Sequence, residues 1–365
     1  MIRLRRGVVT RVGTVRPGAV ELDVALDDRV EPALAYPALV GDVRAGDTVI
    51  LNTTAIELGL GTGGVHFVVA VEGRDPTDVL APGHIMKGRY LPHQVPVSSV
   101  EETHRDLLES SKGLLQTPVV CAPLHSMVAA IAAGAKRAGG GCRVVYVMTD
   151  GAALAGGFSR LVPRLRDVGL LDGWISCGQV FGGELEAVTV WTGMLAAVEI
   201  LEAEVVVVAD GPGNLGTDTT WGVSALGSGN TLNAAHTLGG KPVPALRISF
   251  ADRRDRHRGL SHHSLTILRD VCKVDVNVPV PSLADAEQRA AVWSALRAAK
   301  LEETHQLVDV DGRPALEELH DRAVEVRSMG RSIEEDPAFW LAAGSAGVLA
   351  GRLADSNRRW RSDTP

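Results

Sequence analysis

Up to about residue 71 the apolar positions are short runs of mostly β-branched residues, several alternating with polar ones and broken by Gly, Pro and Asp. This period of two predicts strands at 8–12, 20–24, 48–51 and 66–71, with Gly46-Asp47 as a turn before the third. Strands this short leave edges that closure would remove, so 1–75 reads as a small β-barrel-like domain. Residues 76–100 hold Pro76, Pro82, Pro92 and Pro96 and read as an extended linker.

After Pro118 the pattern changes. Continuous apolar runs at 119–122, 143–148, 174–177, 205–209, 245–250 and 274–278 alternate with amphipathic stretches at 127–137, 158–168, 185–201 and 230–238. Strands apolar on both faces and separated by helices predict a doubly wound α/β domain with a mostly parallel sheet, over 101–312. Residues 313–356 read as C-terminal helices packed on that domain, one of them starting with Asp336 as N-cap and Pro337 in the first turn. The stretch 339–351 is apolar nearly all round and dotted with Gly, Ala and Ser. It should pack closely on another helix, either of this chain or of a second copy in a homo-oligomer. The basic, polar end at 357–365 reads as a frayed tail.

Composition narrows the function. Glycine makes up 40 of 365 residues, against a usual share of about 7%, while aromatics make up only 4%. Tight loops are abundant and stacking surface is scarce, which argues against reading nucleic acid by base stacking. Lys and Arg number 37 against 44 Asp and Glu, a net charge of −7. No overall basic field would draw the chain to nucleic acid or to an anionic membrane. The basic start lacks a following apolar segment, and no apolar run approaches a membrane span. Cys121, Cys142, Cys177 and Cys272 are widely spaced with no CxxC pair, so reduced thiols and a cytoplasmic location are expected.

Ligands of open α/β sheets bind beyond the carboxyl ends of the strands. Five consecutive predicted strand ends carry a polar side chain beside a small residue or turn. They hold His125 and Ser126; Asp150 and Gly151; Gly182, Gly183 and Glu184; Asp210, Gly211, Gly213 and Asn214; and Ser249 with Asp252. The glycine pattern at 59–64 precedes a strand and reads as a β-turn; that at 211–216 follows a strand but enters no good helix start. Neither supports a dinucleotide fold, and no P-loop motif is present. The long loop from Asp210 could still present free N–H groups to an anion where it enters the helix near 230.

The densest cluster is 252–264, with Asp252, Asp255, Arg256, His257, Ser261, His262 and His263. Ser261 suits an N-cap, placing His262 and His263 in a first helical turn whose dipole favours neutral imidazole. Neutral imidazoles suit a general base or a divalent metal, with His125, Asp210 and His262 as the candidate ligands and arginines for phosphate or carboxylate. Adjacent histidines on a helix diverge by about 100°, so one would enter the site and the other would orient it or face elsewhere. Cys177 and Ser126 lack the sequence around a nucleophile elbow.

At these segments the chain resembles a bacterial family, domain of unknown function 3866. The resemblance is carried by Leu51-Asn52-Thr53-Thr54-Ala55, Pro82-Gly83-His84-Ile85-Met86-Lys87, Leu124-His125-Ser126-Met127, Tyr146-Val147-Met148-Thr149-Asp150-Gly151, 181–188 and 248–264. It spans nearly the whole chain and implies no reaction. The residues themselves point to an enzyme, a hydrolase or a transferase, acting on a small anionic and perhaps phosphorylated molecule. In that reading His262, His263, Asp150 and Asp210 are catalytic. The ligand contacts are His125, Ser126, Gly151, Gly182, Gly183, Glu184, Gly211, Gly213, Asn214, Arg256 and His257. The alternative is a non-catalytic module that senses a metabolite.

Overall fold

A computed structural model of the chain describes residues 1–61, 63–74 and 83–363. Five strands, β1 (Leu4–Arg16), β2 (Ala19–Leu26), β3 (Arg29–Ala35), β4 (Thr48–Asn52) and β5 (His66–Val71), close into a barrel in the order β1-β2-β3-β5-β4. Alternate residues such as Leu22, Val24, Val49, Leu51 and Val68 fill its interior. Two register shifts in β1, between Val9 and Arg11 and between Val12 and Val15, bend this long strand around the barrel. β3 was not foreseen because Pro32 interrupts it. It pairs with β5 only at Ala33 and Leu34, so Pro32 lies beyond the end of that ladder.

Part of the expected linker, with Pro76, Pro82 and the domain boundary after 75, lies outside the described residues. From 83 onward the linker expectation is corrected. β6 (Ile85–Lys87) and β7 (Val95–Val97) form an antiparallel hairpin docked on the larger domain. Fully buried Lys87 anchors it by donating to Ser176 O (3.1 Å), Val180 O (2.7 Å) and Glu186 Oε2 (2.7 Å).

The larger sheet is parallel throughout. β8 (Pro118–Cys121), β9 (Val144–Thr149), β10 (Gly173–Cys177), β11 (Leu185–Ala187), β12 (Val205–Asp210) and β13 (Lys241–Pro244) stand in the order β11-β10-β9-β12-β8-β13. Successive residues of the central strands enter two different cores: Val144, Tyr146, Val205 and Val207 one, Val145, Val147, Val206 and Val208 the other. The helices Val128–Ala138 and Leu161–Asp167 cover the first face, and Val190–Glu199 and Gly227–Thr237 cover the second. The chain therefore leaves neighbouring strands β8 and β12 toward opposite faces. That topological switch opens a crevice at their carboxyl ends.

Two expected strands and one expected helix are displaced. The run 245–250 is not a sheet strand; the edge position belongs to β13, whose Pro242 and Pro244 disguised it and which an edge tolerates. Only β14 (Ile248–Ser249) remains there, paired with β15 (Gly259–Leu260) across the Arg- and His-rich loop. The run near 274 becomes β16 (Asn277–Pro281), parallel to β17 (Gln306–Val310) in a separate sheet. The stretch at 185 begins as β11, and its helix starts after Thr189.

The C-terminal helix Pro337–Asp363 runs through the residues expected to fray. Its small residues are spent inside the chain. Each of Gly344, Gly347 and Gly351 sits where a Cβ would strike a neighbouring backbone, Gly347 against Ile131 O at 2.0 Å and Gly351 against Ala135 O at 2.5 Å. Phe339, Trp340, Ala343 and Ala346 are fully buried, so this face is not free for a second copy. Among the described residues no helix is long and apolar enough to cross a membrane.

Gly347→Ala should lower stability by roughly 1–3 kcal/mol through overpacking. Gly227→Ala, at a helical position with open space around it, should be neutral or slightly stabilising. Urea unfolding of both variants checks the contrast.

Candidate functional site

The crevice at the switch is a cavity of about 680 Å³. The loop after β8 lines it with Pro123, Leu124, His125 and Ser126, and the loop after β12 with 212–217, Val223 and Ala225. Asn214 Nδ2 donates to Pro123 O (2.8 Å) and ties the two loops together. The other walls are Arg160, Leu161 and Arg164, the 247–263 segment and 325–329. Six arginines line the cavity, Arg160, Arg164, Arg247, Arg254, Arg256 and Arg327, against a single carboxylate, Glu325. Such a lining is electropositive although the chain as a whole is acidic.

Arg247 is the unusual member. Its side chain is only 7% exposed, and Nη2 donates to Asp252 Oδ2 (3.0 Å) while Nε has no partner. Burial lowers its pKa to about 10, which leaves it charged at neutral pH. Asp252 also accepts from Arg254 Nε (3.0 Å) and Nη2 (2.8 Å), and these bonds hold its carboxyl well below the usual range. One buried carboxylate thus serves two guanidiniums, and Arg247 keeps a donor to spare.

His257, His262 and His263 stand beside it. Ser261 caps the short helix His262–Thr266, its Oγ accepting from His263 N (3.3 Å) and pairing with His257 Nδ1 (2.9 Å). Ser261 Oγ thus ties the His257 ring to the start of the helix, and the three ring centroids lie 4.0–5.0 Å apart, so His262 and His263 converge where helical divergence was expected. Burial first, then the neighbouring arginines, pull His257 down to about 3 and lower His262; burial, then His262, then the arginines pull His263 to about 4. All three shifts favour the neutral ring. Their ring nitrogens lie within 4.8 Å of one another, so the three could hold one metal ion. The Nε2 atoms of His262 and His263 are buried without a partner.

Of the residues singled out in the sequence, His125, Ser126, Gly213, Asn214, Arg256, His257 and His263 line this cavity, and His262 joins through the imidazole cluster. Gly151, Gly182, Gly183, Glu184, Gly211, Asp150 and Asp210 do not. Asp210 Oδ1 accepts from Thr149 Oγ1 (2.6 Å) and Gly151 N (3.1 Å), and Asp150 Oδ2 accepts from Gln179 N (2.9 Å). Gly182 N and Gly183 N donate to Glu186 Oε1 and Ser176 Oγ, and Glu184 pairs with Arg166. Asp150, Gly151 and 182–184 thus close the ends of β9 to β11, beyond the switch, whereas Asp210 ends β12 itself but is turned to Thr149 and Gly151 rather than into this cavity. Of the three metal candidates, only His262 belongs to a group close enough to share an ion. Both ring nitrogens of His125 are occupied, Nδ1 by Tyr146 Oη (3.0 Å) and Nε2 by Ser159 Oγ (2.8 Å).

The sequence reading missed Arg160, Arg164, Arg247 and 325–329. For Arg247 a signal existed: a lone cation inside the apolar run Ala245-Leu246-Arg247-Ile248 must find a partner when buried. Burial pushes the Cys177 thiol up to about 12, which removes it as a nucleophile at neutral pH.

The family described as a protein of unknown function, DUF3866, matches residues 32–347. Comparison with curated proteins finds no match.

Burial lowers the His125 pKa from 6.5 to about 4. As pH falls, the unfolded chain protonates this residue first, so its stabilisation is complete above about pH 6.5 and declines toward pH 4, by roughly 3 kcal/mol. His125→Gln, which does not titrate, should lose less stability than the parent between pH 7 and pH 4. Parallel curves from chemical unfolding would show that His125 does not set this acid limb.

Proposed function

The chain belongs to the DUF3866 family, whose membership brings no reaction with it, and we propose from the cavity alone that it is an enzyme acting on a small anionic molecule of the phosphate class. The observation that carries this reading is the spare Nε of buried Arg247 in a lining of six arginines and one carboxylate. An unpaired buried donor on a cation is costly unless something accepts from it, and an anionic oxygen in the cavity would do so. Arg254 and Arg256 stand near enough to share the charge, each already held by a carboxylate, Asp252 and Asp218. Next to them, His263 offers a buried, unpartnered Nε2 whose lone pair can take a proton or a metal ion. Reactive group and anion clamp in one crevice favour an enzyme, hydrolase or transferase, over a simple carrier.

A second reading, a metabolite sensor, draws on Arg160. This residue lines the cavity and also a neighbouring one of about 400 Å³ against the barrel, and it donates to Glu21 of β2 (2.8 Å). A ligand that recruits Arg160 would release that tie and alter the barrel's contact with the sheet domain. Turnover of the bound molecule separates the two readings.

Titration calorimetry with inorganic phosphate and simple phosphate esters should give saturable binding. Arg247→Met, with unchanged far-UV circular dichroism, should weaken it roughly tenfold or more, since a charge-assisted hydrogen bond contributes about 1.5–3 kcal/mol. Absence of saturable binding, or binding indifferent to Arg247, would overturn the proposal.

A further inference from the structure

We infer that His257, His262 and His263 form a three-imidazole site for a divalent transition metal of the zinc class, with its open position facing the arginine-lined cavity. The inference deepens the anionic-ligand reading but stands on separate observations. Two of the three rings present a buried Nε2 with no hydrogen-bond partner, and all three place a ring nitrogen within 4.8 Å of the others. Two buried ring nitrogens are not left without partners at no cost, because a buried polar atom is ordinarily satisfied.

The third ring is also accounted for. His257 Nε2 is contacted by Arg256 Nε at 3.3 Å, and Arg256 is in turn held by the exposed Asp218 (2.5 Å). A guanidinium N–H directed at an imidazole lone pair occupies the place a metal would take. Arg256 is partly exposed and Asp218 belongs to the loop after β12, so this cover can move without disturbing the core. On the opposite side of the ring, His257 Nδ1 is fixed by Ser261 Oγ, the kind of outer contact that orients a metal-bound histidine.

The donor set chooses the metal. Imidazole alone, with neither carboxylate nor thiolate, suits Zn(II), Co(II), Ni(II) or Cu(II) and disfavours Mg(II) and Ca(II), which require oxygen ligands. The carboxylate of Asp252, on the same loop, is committed to Arg247 and Arg254. Three neutral ligands leave both positive charges on the ion, in a neighbourhood that already holds Arg247, Arg254 and Arg256. Such a site is completed best by an anion, so metal and anion should bind in mutual support, each raising the affinity of the other by the same factor. His257 and His263 both line the cavity, which is where that anion would enter.

The test is titration of chelator-treated full-length protein with Co(II), followed by visible absorption and by metal analysis after desalting, with Zn(II) as competitor. One ion per chain is expected, displaced by Zn(II) and not by Mg(II). His262→Gln and His263→Gln, each checked by circular dichroism, should weaken it by more than the roughly 10–100-fold that a change in an outer contact costs. Asp218→Asn, outside the site, should keep the ion. Arg247→Met should retain the ion and lose phosphate. No stoichiometric Co(II) binding, or binding that both histidine variants preserve, overturns the site. Phosphate binding without metal overturns the metal alone, whereas metal binding without phosphate upholds the site and overturns the anionic-ligand reading.

Discussion

Even with its pKa lowered to about 10, Arg247 keeps its proton at neutral pH, so a chain that buries it must surround a charge. Much of the local architecture meets that demand. Asp252 approaches from the same loop and is fixed by Ser249 Oγ, which donates in turn to Asp336 at the start of the C-terminal helix (2.6 Å). Arg331 joins the same carboxylate. The backbone of Arg247 is clamped as well, its N–H donating to Ser264 Oγ and its carbonyl accepting from Ser261 N. The loop that bears Asp252 and His257 is therefore held between the short helix His262–Thr266, which carries the other two histidines, and the beginning of the long one.

The same desolvation sets the chemistry of the imidazoles. With Arg247, Arg254 and Arg256 close by, a protonated histidine here would add positive charge to positive charge in a poorly hydrated site. Burial and these charges favour the neutral rings, and Nε2 of His262 and of His263 has no hydrogen-bond partner. The cavity combines two properties that rarely coincide by accident: fixed cations that attract an anion, and neutral nitrogen donors beside them.

Much of this was legible in the sequence, for definite reasons. Alternation in β2 and β5 and the continuous apolar runs of β8, β9 and β12 report burial on one face and on two, so both layers could be read. The strand-end argument led to His125 and Asn214, and the density of charge and imidazole at 252–264 led to His257 and His263; all four line one cavity. The strand-end argument also led to Asp150 and Glu184, because every strand end in such a sheet looks alike until strand order is known, and to Asp210, which ends β12 but is held by Thr149 and Gly151. Only the order β9-β12-β8 puts the crevice between the loops after β8 and β12. Pro32, Pro242 and Pro244 hid strands β3 and β13, since a missing N–H is tolerated at an edge that local pattern cannot identify. Arg164 and Arg327 reach the cavity from segments remote in sequence, with no local sign of it.

The loops after β8 and β12, the arginine-rich segment and the approach to the C-terminal helix thus meet at one place, and the account rests on what Arg247 faces there. The most direct measurement is a crystal structure of the protein grown with tungstate, a heavy phosphate mimic, using the anomalous signal to locate the anion. The account predicts a peak within hydrogen-bond reach of Arg247 Nε, beside the histidine cluster. A cavity without anion, in which Arg247 Nε is satisfied by a protein group, would contradict it.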